Sequence, residues 1–181
     1  MTKELAVPKL TAQGATRVRL IERISGDSPG LFTVESLWDS LNTAINGLDA
    51  LYADPEVLAA LEANPVEPVS RVIGIVHARV GDTGAFVGQT MFSVTKPDPA
   101  RIAAAAELAL EIGGPLGVKG YMAATVFSGG AATGMMAAAA EIDDVDVWPN
   151  VSAAGAQDPR LQDFFAAVGA SIVDRVLFKV H

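Results

Sequence analysis

The sequence predicts an α+β protein built from two repeated modules, and three observations lead to this prediction. The heptapeptide RVIGIVH at residues 71–77 returns as RVLFKVH at residues 175–181. Sliding the chain against itself by 104 positions aligns residues 30–77 with residues 134–181 without a gap, and 12 of these 48 pairs are identical. Strand and helix periodicities also succeed one another in the same order in both halves. We therefore predict a first module over residues 1–80 and a second over residues 81–181.

The first module begins with a predicted β-hairpin over residues 16–36. In TRVRLIERI, apolar residues alternate with arginines, and the turn residues SGDSPG precede the extended stretch LFTVES. From Ser36 onward apolar residues recur at three and four positions, which predicts an amphipathic helix. Asp54 is then predicted to cap a short second helix, and Pro55 occupies its first helical position. Residues 70–80 are rich in β-branched side chains and predict the closing strand.

The first module is predicted to be incomplete at its N-terminal end. Only about sixteen residues precede its hairpin, whereas the second module has a strand and a helix in the corresponding place. The segment ELAVPKL is interpreted as a remnant strand, although Pro8 suits a central strand poorly. A partner chain is one candidate for what fills this gap.

The second module shows where propensity and context disagree. The segment MMAAAAEI has high helix propensity, and the preceding SGGAATG could cradle a phosphate at a helix N-terminus. The repeat instead aligns MMAAAAEI with the strand LFTVESLW, which makes SGGAATG a hairpin loop. The predicted elements are strands at 85–96, 119–128, 134–142 and 173–180, with helices at 99–112 and in the region that ends at residue 168. This order, β-α-β-β-α-β, is that of the ferredoxin-like split unit.

The element order resembles the dimeric α/β-barrel superfamily, which includes antibiotic-biosynthesis monooxygenases, stress-responsive proteins, EthD-like proteins and haem-degrading monooxygenases. The hairpin glycines, the segments DPEVLAAL and DPRLQDFF and the two closing strands carry the resemblance, which covers most of the chain. It implies tandem ferredoxin-like modules whose antiparallel sheets form a dimeric-type α/β barrel. It further implies that ligands bind between a sheet and its own helices. Such architecture accompanies many chemistries.

Composition narrows the expected partners and location. The 181-residue chain contains no cysteine and carries a formal net charge of −8, with scattered basic residues. Thiolate chemistry is thereby excluded, and nucleic acid and anionic membranes are expected not to bind. We expect a cytoplasmic protein that binds a small-molecule ligand. The many alanines and valines suit packing between subunits, so a homo-oligomer is also expected.

Polar residues on the helix-facing side of the strands are the candidate catalytic residues. Glu22 shares a strand face with apolar residues, where a raised carboxyl pKa would suit a general base. Pairing with an arginine, or a place at the barrel rim, is the alternative for Glu22. Tyr121 and Thr125 occupy the equivalent face of the second module and could bind a carbonyl or phenol oxygen. A core tyrosine with a satisfied hydroxyl is the alternative for Tyr121.

The two histidines and two tryptophans supply further candidates. His77 is a candidate catalytic residue because the repeat reproduces it as His181, although a solvent-facing or sheet-packing position is the alternative. Trp38 and Trp148 lie near strand-to-helix junctions and could bind substrate or close a core. No metal ligand set is recognised, and no cofactor is expected. Haem-degrading relatives use a histidine in the second helix, and neither candidate helix here contains one.

These observations lead to one preferred function and two alternatives. The preferred function is a cofactor-independent enzyme, such as a monooxygenase, isomerase or cyclase, that deprotonates a phenolic or enolisable carbonyl substrate. The first alternative is a non-catalytic ligand-binding or oligomeric assembly protein. The second is haem binding through His77.

Overall fold

The computed structural model describes residues 3–63 and 70–181 and confirms the α+β class. Six α-helices and seven β-strands lie in this part of the chain. They group into two compact units. Unit 1 holds the described residues up to Glu22, those from Leu31 to Ala63, and His181; unit 2 holds Arg23–Gly30 and Ser70–Val180.

Unit 1 contains three helices and the two paired strands of the predicted hairpin up to Glu22 and from Leu31 onward. Strands β1 (Arg17–Arg23) and β2 (Phe32–Leu37) pair antiparallel. The helices are α1 (Lys3–Ala12), α2 (Leu41–Ala53) and α3 (Pro55–Ala63). Their side chains Leu10, Leu51 and Val57 are buried together and form the centre of its core.

Two boundaries in unit 1 differ from the predictions. The segment interpreted as a remnant strand lies in helix α1, where Ala6 and Leu10 are buried at the helical spacing of four. The helix expected from Ser36 begins only at Leu41, because Ser36 still pairs with Val18 in the hairpin. Ser40 then caps α2 in a reciprocal capping box with Thr43.

Unit 2 is a five-stranded antiparallel sheet with three helices. Its strands are β3 (Ile73–Gly81), β4 (Phe86–Ser93), β5 (Val118–Ser128), β6 (Met136–Ile142) and β7 (Ser171–Val180). They lie in the order β7-β4-β6-β5-β3. The helices are α4 (Pro99–Gly113), α5 (Trp148–Gln157) and α6 (Pro159–Val168). From β4 to β7, with α5 and α6 as the second helical segment, the chain follows the predicted element order.

Strand β6 confirms the prediction that context overrides helix propensity. Its alanine-rich backbone pairs with β4 on one side and β5 on the other. The loop before β6 is therefore a hairpin loop rather than a helix N-terminus. A strand in the interior of a sheet gains a ladder of hydrogen bonds on both edges, and this tertiary stabilisation exceeds the modest preference of alanine for helix.

The hairpin loops of the two halves share backbone geometry. Gly30 and Gly134, which the repeat aligns, have φ angles of 86° and 84°. The Gly30 N–H donates to the Arg23 carbonyl and the Gly134 N–H to the Val126 carbonyl, each at 2.8 Å. These positive φ angles favour glycine at both turns. The shared geometry supports the repeat, while tandem ferredoxin-like modules remain a prediction.

The predicted boundary at residue 80 divides the sequence into two modules, whereas the two compact units divide the structure. Strand β3 belongs to the first predicted module, yet it pairs with β5 of the second. The division at residue 80 describes the repeat in the sequence and stays a prediction. No helix within residues 3–63 and 70–181 has the length and apolar character needed to cross a membrane.

The capping aspartates of unit 2 generate a stability prediction. Asp98 accepts hydrogen bonds from the N–H groups of Ala100 and Arg101, and Asp158 accepts one from the N–H of Arg160. Asp98→Ala and Asp158→Ala should each lower the free energy of unfolding by about 1 kcal/mol.

Urea denaturation would measure these changes, with Asp163→Ala as the matched control. Asp163 lies on the exposed face of α6, so its removal deletes the same charge without a cap. Equal losses in all three variants would contradict the capping role.

Candidate functional site

A cavity of about 120 Å³ lies within unit 2, between the sheet and its helices. Strands β4, β5, β6 and β7 form its floor, and α4, α5 and α6 cover it. Most of its lining is apolar, and its bulky side chains include Phe92, Ile102, Met136, Leu161, Phe164 and Phe165. Such a pocket with a few polar groups is the usual form of a small-molecule site.

The cavity exists because small residues occupy facing positions on the sheet and the helices. Ala138 of β6 pairs with Thr90 of β4 and with Ala123 of β5, so the centre of the floor has short side chains. Ala105 and Gly155 contribute equally small groups from α4 and α5. Larger side chains at these positions would fill the space that the helices leave above the sheet.

Trp148 closes one side of the cavity from the start of α5. Its indole lies directly over Gly88 of β4, where an added Cβ would overlap the ring. The glycine therefore lets a large aromatic ring approach the backbone of the sheet. Trp148, a predicted substrate-binding residue, thus borders the cavity and also packs against the core around Val151.

Tyr121 is the predicted catalytic residue that lines this cavity. Burial raises the pKa of its hydroxyl to about 12, so the group is neutral at physiological pH. Among the described residues the hydroxyl has no hydrogen-bond partner, and protein atoms do not fully enclose it. It is therefore a donor available to a ligand oxygen.

Three further polar residues line the cavity, and the sequence analysis did not select them. Thr90 is only 7% exposed, and its hydroxyl, like that of Ser152, has no partner among the described residues. Arg175 of β7 pairs in register with Thr90, and its side chain reaches both the cavity and solvent. The alternation in FVGQTMF contained the signal for Thr90, because threonine there is the polar residue on an otherwise apolar face.

His77 and Thr125 contact each other rather than the cavity. The His77 Nε2 and Thr125 Oγ1 atoms lie 2.9 Å apart, within hydrogen-bond distance. Partial burial lowers the pKa of His77 below its usual value, which favours the neutral imidazole. Neither residue belongs to the cavity lining. The catalytic role of His77 and the binding role of Thr125 stay predictions.

Glu22 and Trp38 lie in unit 1, apart from the lining of this cavity. A Glu22 carboxylate oxygen is 2.9 Å from His181 Nε2, and both side chains are about one-third exposed. The Trp38 indole N–H donates to the Ser36 hydroxyl, and its ring occupies the space beside Gly47. The predicted roles of Glu22 as a base and Trp38 as a substrate contact therefore gain no geometric support here, and they stay predictions.

The two histidine contacts correspond to each other under the repeat. His77 aligns with His181, and with one residue inserted in the hairpin turn Thr125 aligns with Glu22. The aligned pairs make the same contact at the same distance of 2.9 Å. The contact therefore recurs with a neutral hydroxyl in one unit and a carboxylate in the other. No group of three or more acidic or histidine side chains within residues 3–63 and 70–181 could hold a metal ion.

Comparison with solved structures shows what fold this chain shares. It is similar to an anthrone oxidase-like protein, with a TM-score of 0.56 and 16% identity over 99% of this chain and 83% of the other. It is also similar to a putative monooxygenase from Lactobacillus acidophilus NCFM, with a TM-score of 0.52 and 10% identity over 99% and 82% of the two chains. At these identities the likeness shows the fold alone.

Comparisons by sequence add no relative. No protein-family model matches the chain, and no curated protein matches it. The α+β fold with antiparallel strands is thus shared with monooxygenase-like proteins, whereas membership of the dimeric α/β-barrel superfamily stays a prediction.

The raised pKa of Tyr121 generates a pH prediction. The unfolded chain loses this proton near pH 10, whereas the folded chain retains it until about pH 12. The stabilisation is fully present below pH 10 and is lost as the pH rises through the folded value. The complete loss amounts to about 3 kcal/mol. Tyr121→Phe should therefore resist alkaline unfolding better than the natural chain.

Urea unfolding over a series of pH values between about 8 and 11 would measure this difference. Tyr52→Phe, at an exposed position on α2, controls for the loss of a tyrosine hydroxyl. A constant difference between Tyr121→Phe and the natural chain at every pH would contradict the burial argument.

Proposed function

We propose that this chain is a cofactor-independent oxygenase whose substrate is a small phenol or enolisable ketone bound in the cavity of unit 2. The observation that carries this proposal is Tyr121, which lines an apolar cavity and whose hydroxyl is neutral and without a partner among the described residues. The fold likeness supports the same reaction class, because the two similar structures are an anthrone oxidase-like protein and a putative monooxygenase. Anthrone is itself a ketone that enolises to a phenol.

The proposed reaction uses dioxygen as the oxidant. The phenol, or the enol of the ketone, loses its O–H proton to water. The resulting anion shares its charge with the carbon that is a CH₂ group in the keto tautomer, and it transfers one electron to O₂. The substrate radical and superoxide then combine, which forms a C–O bond. Cleavage of the O–O bond releases water and leaves a new carbonyl group. Overall, CH₂ and O₂ become C=O and H₂O, so atoms and electrons balance without a bound cofactor.

Tyr121 and Thr90 would stabilise the anion that this reaction requires. Both residues line the cavity, and each hydroxyl can donate a hydrogen bond to a substrate oxygen that lies within its reach. In an apolar cavity such hydrogen bonds are stronger than in water, and fixed donors need little reorganisation. Their effect is to lower the pKa of the bound substrate and to favour electron transfer to O₂.

The cavity supplies donors but no base. Among the described residues that line it, none carries a carboxylate or an imidazole. The substrate must therefore be acidic enough to lose its proton to water once the hydroxyl donors are in place. This requirement selects phenols and enolisable carbonyl compounds over unactivated ketones. The proposal assigns no role to Glu22 or His77.

Oxygen consumption tests the proposal directly. The purified chain would be incubated with a panel of single-ring phenols and enolisable ketones in an oxygen electrode cell, and products would be identified by mass spectrometry. With an active compound, Tyr121→Phe should lower kcat/KM by about 100-fold, the typical cost of losing one donor to a developing oxyanion. Unchanged kcat/KM in this variant would refute the role of Tyr121.

Filling the cavity provides an independent test of where the substrate binds. Ala138→Leu adds bulk to the cavity floor, whereas Ala137→Leu adds the same bulk to the opposite face of the same strand. Ala138→Leu should abolish turnover or raise KM strongly, and Ala137→Leu should retain activity. Equal activity in both variants would place the reaction elsewhere in the chain.

Ligand binding without catalysis is the second candidate function. The observation in its favour is the lack of a carboxylate or imidazole among the described lining residues. The same panel separates the two functions. Saturable binding, blocked by Ala138→Leu but without oxygen consumption, would establish a binding protein and reject the oxygenase.

A further inference from the structure

The size of the cavity limits the part of a ligand that it can enclose. A dry apolar cavity of about 150 Å³ in another protein accommodates benzene. The cavity of unit 2, at about 120 Å³, is similar in size. It therefore suits one aromatic or alicyclic ring, while any further part of the ligand must extend beyond it.

The polar side chain that reaches beyond the cavity is cationic. Arg175 lines the cavity from β7, and the residue is also exposed to solvent. Arginine commonly takes this arrangement, with the stem along an apolar surface and the head in solvent. A ligand that extends from the ring site toward solvent would pass this group.

The Arg175 side chain has no anionic partner among the described residues. Arg19, Arg101 and Arg160 each form an ion pair with a carboxylate. Arg175 forms no ion pair with any described residue. Its contact with Asp174 is a hydrogen bond from the Arg175 backbone N–H to the Asp174 carboxylate, which does not involve the guanidinium group. No acidic side chain belongs to the described lining of the cavity either. The positive charge is therefore available to a ligand.

We infer that the ligand is a single-ring compound bearing a carboxylate, with the ring in the cavity of unit 2 and the carboxylate paired with Arg175. This inference rests on the proposed function for the reacting part of the ligand and adds its size and charge. A guanidinium group binds a carboxylate through two parallel N–H···O hydrogen bonds, which fixes orientation as well as affinity. Pairing at Arg175 would fix the orientation of the ring in the cavity, which Thr90 and Tyr121 also line. The overall charge of −8 makes a local cation necessary for attracting such an anion.

Calorimetric titration with two matched compounds tests the inference. The probes are para-hydroxyphenylacetate and para-hydroxyphenylacetamide, which have nearly the same shape but differ in charge. The natural chain should bind the acid at least about tenfold more tightly than the amide, the effect of one charge-assisted contact. Arg175→Gln should remove this preference, because it should weaken binding of the acid at least about tenfold more than binding of the amide.

Arg79→Gln is the matched control, because it removes the same charge from an exposed position of unit 2 outside the cavity lining. It should keep the preference for the acid. Equal affinity of the natural chain for both probes, or loss of the preference in both variants, would overturn the inference. Binding of neither probe would overturn it as well, because a single-ring acid is what it requires.

Oxygen consumption separates this inference from the proposed function. If the enzyme oxidises uncharged phenols and shows no preference for acids, the proposed function stands and the carboxylate inference fails. If it binds acids through Arg175 but consumes no oxygen with any compound of the panel, the ligand class stands and the oxygenase fails.

Discussion

The pairing of β6 on both of its edges is the interaction on which the candidate site depends. Hydrogen bonds to β4 and β5 hold an alanine-rich segment extended in the interior of the sheet. Ala138 and Ala140 then face the helices. Because the side chain of Ala138 is small, it leaves space between the sheet and the helices. If this segment were helical, β4 and β5 would lose their shared neighbour and the cavity would lose its floor. The pairing of β6 on both edges therefore holds the sheet together and also forms the floor of the cavity.

The chemistry of the cavity follows from which polar groups the fold brings together. Burial keeps Tyr121 protonated, so it acts as a donor rather than as a base. Thr90 places a second hydroxyl on the same surface, and Arg175 supplies positive charge at the edge. Under the proposed function, this site would stabilise an anion without supplying the base that generates it. The proposed substrate therefore needs intrinsic acidity, as cofactor-independent oxidation by dioxygen also requires.

The two segments that the sequence aligns share geometry more closely than chemistry. Aligned glycines adopt the same turn conformation, and aligned histidines make contacts of the same length. The partner is a hydroxyl for His77 and a carboxylate for His181. Backbone conformation limits which residues a turn accepts, whereas a hydrogen bond accepts several partners. Similar positions in the two units therefore do not imply similar roles.

The sequence by itself determined the α+β class, nearly all of the strands and helices, and the extended state of β6. These features depend on local periodicity, on caps such as Asp98 and Asp158, and on a repeat that revealed context beyond the local window. The sequence also selected Tyr121 and Trp148, because strand alternation and junction positions are local properties. Only the tertiary structure decided that Glu22 and Trp38 belong to a different unit from the cavity. It also revealed Thr90 and Arg175 as neighbours, since the pairing of β4 with β7 joins residues 85 positions apart that no local pattern connects.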